Sequence, residues 1–156
     1  MSKWANFHIW RGRLPHWRAD NVTYFVTFRH RRPLTLWECD RVLYHLRRPD
    51  GRKWDLVIAC VLPEHTDLIF RVGEKAEGVP WELSDIVEKA KLKAGKDIVK
   101  KSEERFPPFY NESFDRIIRD DGEFEELWTT ILESPVTAEL VEEPGEYSPL
   151  FVPDAP

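Results

Sequence analysis

Cysteine is scarce in this chain: among 156 residues there are only Cys39 and Cys60. Two cysteines without C-x-x-C spacing make neither a disulfide framework nor a zinc ribbon. Cys60 sits in an apolar run and reads as a buried thiol, and a reducing compartment is the default for such a chain. Long hydrophobic runs are also missing, and none approaches the roughly 20 residues that cross a bilayer. The first ten residues hold one lysine and no continuous apolar stretch, so no signal peptide is expected. No internal repeat is apparent. The expectation is a soluble, cytoplasmic protein with no membrane partner.

Positive charge is absent from the end of the chain, where no Lys or Arg follows Arg119. Residues 120–156 carry 11 acids, whereas residues 1–53 carry 12 Lys+Arg against 4 Asp+Glu, and the formal net charge is −5. The net value argues against a nucleic-acid partner, but phosphate binding depends on local potential and the first third is strongly basic. An ordinary solvated surface with an acidic tail has the same pattern. A hydrophobic fraction of 42% is enough for a core, and the length suits one domain. Seven Trp and nine Phe are a heavy aromatic load. They serve core packing, or in part stack on unpaired bases.

Residues 21–29 alternate β-branched and aromatic side chains, which predicts a strand with Val22, Tyr24, Val26 and Phe28 on one face. Residues 36–46 follow as a short helix with Val42, Leu43 and Leu46 as its apolar stripe. Residues 54–62 are nearly all apolar, as in a central strand covered on both sides. After the Pro63-Glu64 connection, residues 65–72 complete a hairpin. Residues 82–101 have helical spacing through Leu83, Ile86, Val87, Ala90, Ala94 and Ile98, weakened at Gly95. A last strand falls around 114–118. Asp120-Asp121 then caps a helix with Phe124, Leu127, Trp128 and Ile131 on one face, which Pro135 is expected to end. Strand, helix, hairpin, helix, strand, helix predicts an α+β domain, a ferredoxin-like antiparallel sheet with helices packed on one face. The domain is expected to span 1–147, with an extended acidic, Pro-rich tail at 148–156.

The segment P-E-H-T-D at 63–67 is the first candidate for chemistry. Residues two apart on a strand share a face, so His65 and Asp67 point the same way. Imidazole and carboxylate together can hold a divalent metal, and such a pair is equally an ordinary surface hydrogen bond. Thr130 and Ser134 lie four apart on one flank of the last helix, either as a polar margin or as part of a site against the sheet.

Three ordered stretches carry a resemblance: R-G-R-L-P-H-W with T-Y-F-V-T-F-R at 11–29, V-L-P-E-H-T-D-L-I-F at 61–70, and S-F-D-R-I-I-R-D-D-G-E-F-E-E-L-W-T-T-I-L-E-S-P-V-T-A-E-L-V at 113–141. They resemble the REP-associated tyrosine transposases, single-tyrosine transposases of the H-U-H endonuclease class, over residues 8–147. In that family the second stretch typically reads V-M-P-N-H-V-H-L-L, and the last helix W-x-Y-I-x-x-N-P-V-K-A-G-L-V. The resemblance implies a divalent ion, Mg or Mn, held by two histidines and an amide, beside a tyrosine that attacks single-stranded DNA. Here His65 matches the first histidine, Asp67 stands at the second, Thr130 at the tyrosine and Ser134 at the third ligand. A threonine hydroxyl lacks the low pKa of a phenol, so strand cleavage is expected to be lost and any metal centre weakened. Tyr110 and Tyr147 are the alternative nucleophiles, each on another element. Binding to single-stranded or hairpin DNA is expected to survive through Arg11, Arg13, His16, Trp17, Arg18, Arg29, Arg31 and Arg32, with Trp10 as a further stacking ring. The protein is expected as a monomer or homodimer. The alternatives are an active metal-dependent nuclease with another nucleophile, and a protein-interaction module with the acidic tail as its handle.

Overall fold

The computed structural model describes residues 22–153. Strand β1 (Thr23–Arg29) alternates as its sequence demands, burying Val26 and Phe28 with Tyr24 packed beside them. Helix α1 (Leu36–Arg47) opens on a capping box. The Thr35 hydroxyl accepts from the Glu38 N–H at 3.2 Å, and the Glu38 carboxylate accepts from the Thr35 N–H at 2.8 Å. Strands β2 (Trp54–Val61) and β3 (His65–Val72) form the expected hairpin, followed by a small ribbon of β4 (Glu74–Ala76) and β5 (Val79–Pro80). Helix α2 (Leu83–Ser102), strand β6 (Phe114–Ile118), helix α3 (Asp121–Thr137) and strand β7 (Leu150–Phe151) complete the order. The main sheet runs β6-β1-β3-β2-β7, and every neighbouring pair is antiparallel.

The α+β class and the antiparallel sheet are as expected, but the helices, expected on one face, are divided between the two. Val26, Phe28, Ala59, Val61, Leu68 and Phe70 face α1 and α2. Ile58, Cys60, Leu62 and Ile69 face α3 with its Phe124, Trp128, Ile131 and Leu132. Helices therefore cover both faces of the sheet. The cause lies in β2, which is apolar at successive positions, so each of its faces needs a cover. The extended tail segment supplies the fifth strand: Leu150 pairs with Cys60 and Phe151 with Ala59.

Two local features explain helices that their composition opposes. Gly95 costs helix propensity, but a Cβ there would lie 2.8 Å from the Pro107 Cβ. The glycine lets the 106–109 connection lie directly on α2. Pro135 does not end α3, which runs on to Thr137. A proline cannot donate to the carbonyl four residues back, here that of Ile131. The Ser134 hydroxyl donates to that carbonyl instead, at 2.7 Å. Among the described residues no helix is long and apolar enough to cross a membrane.

Candidate functional site

The hairpin turn sets the position of His65. The Leu62 N–H donates to the His65 carbonyl at 2.9 Å across the turn. Behind the turn sits His30, only 7% exposed. Its Nδ1 lies 2.8 Å from the Pro63 carbonyl and its Nε2 2.9 Å from the Thr66 hydroxyl. A carbonyl only accepts, so Nδ1 carries the proton, and Nε2 accepts from the threonine. That is a neutral imidazole, and burial pushes its pKa down to about 4. The His30 N–H also donates to the Glu64 carbonyl at 2.9 Å. His30 thus clamps both residues that precede His65.

His65 and Asp67 point to the opposite face, toward α3, as the strand period requires. The His65 Nε2 lies 3.0 Å from the Asp67 carboxylate. That hydrogen bond raises the His65 pKa against partial burial. Two oxygen or nitrogen donors at right angles around a small divalent cation, each about 2.1 Å away, are about 3.0 Å apart, so the pair has a suitable spacing. A third donor is not supplied. Among the described residues no group of three His, Cys, Asp or Glu converges, and the Ser134 hydroxyl is occupied by the Ile131 carbonyl, with the Cys60 sulfur 3.5 Å away. The donor set does not fit the three-ligand Mg or Mn centre that the resemblance implies, and no chemical step is assigned to a metal here.

The four family positions fall in one neighbourhood. Asp67 pairs in register with Cys60, and Cys60 touches Ser134. Thr130 lies one turn earlier on α3, solvent-exposed, and its hydroxyl makes no hydrogen bond among the described residues. A hydroxyl without a base beside it is not an activated nucleophile. Of the alternative tyrosines, Tyr147 is buried and donates to the Val61 carbonyl at 2.6 Å. Burial pushes its pKa up, so it stays a protonated structural phenol.

Tyr110 is different. It is 46% exposed, and its N–H lies 3.5 Å from the Arg29 carbonyl at the end of β1. Its ring is flanked by the Arg29 and Arg31 guanidiniums, each 5.9 Å from the ring centre. Arg29 pairs in register with His65. Tyr110, Arg29 and His65 therefore form a row across three neighbouring chain segments at one end of the sheet. Two strand spacings, about 10 Å, separate the outer members.

A residue that sequence reasoning passed over holds this row in place. Lys91, on α2, is 5% exposed and donates to the Tyr110 carbonyl at 2.8 Å. Its ammonium also lies 3.4 Å from the Ser113 hydroxyl and 5.1 Å from the centre of the Phe28 ring. Burial lowers its pKa. The available signal was a lysine one turn after Val87, inside an apolar stripe, where a cation needs partners.

Of the expected DNA contacts, Arg11, Arg13, His16, Trp17 and Arg18 lie outside the described residues, as does Trp10. Arg29 and Arg31 are exposed and pair with no carboxylate among the described residues. Arg32 is taken up by Glu38, at 2.7 Å, and by Glu104. Its guanidinium holds both carboxyls below the usual range and ties the start of α1 to the end of α2.

This sheet, with its hairpin, its row of polar groups at one end and its covering helices, is a transposase fold. A REP-associated tyrosine transposase bound to a REP hairpin shares it with a TM-score of 0.60 at 15% sequence identity, over 85% of this chain and 79% of that one. A protein assigned as a transposase of Deinococcus radiodurans R1 shares it with a TM-score of 0.51 at 11% identity, over 75% of this chain and 93% of that one. No protein-family model and no curated protein matches the chain in sequence.

Proposed function

We propose that this chain binds structured single-stranded DNA, hairpins included, on a transposase scaffold and does not cleave it. The observation that carries the reading is the row at the sheet end. Two exposed arginines that pair with no carboxylate among the described residues flank an exposed tyrosine, an arrangement suited to a phosphate and a stacked base. Arg29 and Arg31 make the phosphate contacts, joined by Arg11, Arg13, His16 and Arg18. Tyr110 and Trp17 stack on bases. Arg32 contributes by shaping the fold, because two carboxylates already neutralise it. The absence of cleavage follows from Thr130, whose hydroxyl is hydrogen-bonded to no base among the described residues, and from a donor set reduced to His65 and Asp67.

A hairpin-DNA titration across salt concentration tests the binding. Affinity should fall steeply with salt, and Arg29→Gln with Arg31→Gln should reduce the slope by about 2. A slope near zero in the parent protein would remove the DNA reading and favour a protein partner.

One observation favours a second reading, an active nuclease with Tyr110 as nucleophile: its side chain is exposed and two guanidiniums lie 5.9 Å from its ring centre. Incubation with Mn and labelled hairpin DNA decides between them. The first reading expects no covalent adduct. An adduct that disappears in Tyr110→Phe establishes the second.

A further inference from the structure

On the face away from His65, α1 and α2 are joined by a polar link: the Asp97 carboxylate accepts from Arg41 and lies 2.7 Å from the His45 Nε2. Beside this link, between the C-terminal end of α1 and the first half of α2, lies a cleft of about 60 Å³. Arg48, Arg52, Lys53, Lys89 and Lys93 line it together with His45, and no carboxylate does. We propose that this cleft binds a phosphate group, the chemistry shared by a nucleic-acid backbone and a free phosphate ion.

Two observations support this, and neither depends on the DNA reading above. First, none of the five cations forms an ion pair with a carboxylate among the described residues, although the chain as a whole is acidic. Of the acids on α2, Glu88 faces Lys91 and Asp97 is committed to Arg41 and His45. Second, the helix dipole accounts for only part of the cluster. Arg52 donates to the Arg48 carbonyl at the end of α1, at 3.2 Å, as cations near a helix C-terminus do. Lys89 and Lys93 sit in the middle of α2, too far from its C-terminus for the dipole to favour cations, and at a four-residue spacing that sets like charges side by side. Lys53 lies close enough to both that they lower its pKa further, beyond the effect of burial. Such crowding is unfavourable unless an anion joins it. His45 also lines the cleft wall, its Nε2 held by Asp97. The cleft has room for a tetrahedral oxyanion among these cations.

The test is calorimetric titration of the full chain with inorganic phosphate at fixed ionic strength, repeated on two double variants. Lys89→Gln with Lys93→Gln removes cleft cations. Lys96→Gln with Lys100→Gln removes the same charge from exposed positions of α2 that do not line the cleft. Saturable binding that weakens at least fivefold in the first variant and less than twofold in the second is expected, with a phosphate-induced shift of the His45 ring nitrogens by NMR. Equal loss in both variants, or no saturable binding in the parent, overturns the site. A parallel arm measures hairpin-DNA affinity. A cleft-specific loss there identifies the phosphate source as a nucleic-acid backbone. Phosphate binding without any DNA binding leaves the site standing with free phosphate as its ligand, and removes only the proposed function.

Discussion

At the scale of single residues, Ser134 and His30 do structural work next to the site. Ser134 stands where the resemblance places a metal ligand, and its hydroxyl is used to satisfy the carbonyl that Pro135 orphans. Ser134→Ala should cost about 1 kcal/mol in urea unfolding, the net worth of one hydrogen bond. Adding Pro135→Ala restores an N–H to the same carbonyl, so the serine's contribution should shrink in the double variant. Strictly additive costs would show that the hydroxyl does not stand in for the missing N–H. His30 gives a pH signature. Its folded pKa, about 4, lies below the ordinary value of 6.5, so the unfolded chain binds the extra proton. Stability is therefore full above pH 6.5 and declines as pH falls through 4, by up to about 3 kcal/mol. His65 runs the other way: its raised pKa adds stability below about 6.5 that is lost as pH rises through the folded value. Histidine NMR titration should place the two on opposite sides of 6.5, and Asp67→Asn should bring His65 down.

At the scale of elements, most of what the sequence announced is present because periodicity and caps are local. Val26 and Phe28, Val42 and Leu46, and Phe124 and Trp128 all turn inward as their spacing demands. Asp120 caps α3, its carboxylate accepting from the Glu123 N–H at 2.8 Å. What could not be read were consequences of distant contacts. Gly95 looks like a flaw in a helix until Pro107 is placed against it. Gly95→Ala would add about 1 kcal/mol on propensity alone, but the clash should reverse the sign to a net loss of about 1 kcal/mol or more, visible as a lower Tm. β7 carried too few residues to announce itself. The candidate site divides in the same way. His65 and Asp67 were legible from strand period, and Thr130 and Ser134 from helix spacing. The row joining Tyr110 to Arg29, and the role of Lys91 beneath it, needed the sheet order.

At the scale of the whole molecule, the charge asymmetry of the sequence becomes spatial. The polar row with Arg29 and Arg31 lies at one end of the sheet, and the basic cleft between α1 and α2 lies on the helical face turned away from His65. Two separated cationic regions on an acidic chain explain how a net charge of −5 is compatible with an anionic partner, since screening limits each interaction to about 8–10 Å. The sheet itself is closed off on one side by a single short segment. Ala59 and Cys60 pair with Phe151 and Leu150, and the Val61 N–H donates to the Pro149 carbonyl at 2.9 Å. Without that segment β2 becomes an unprotected apolar edge, ready to recruit the same strand from another copy. A chain ending at Tyr147 should therefore form concentration-dependent oligomers by light scattering while keeping its far-UV dichroism. The segment 149–151 is thus a safeguard against self-association, and an insertion that displaces it carries an aggregation risk that one at a distant loop does not.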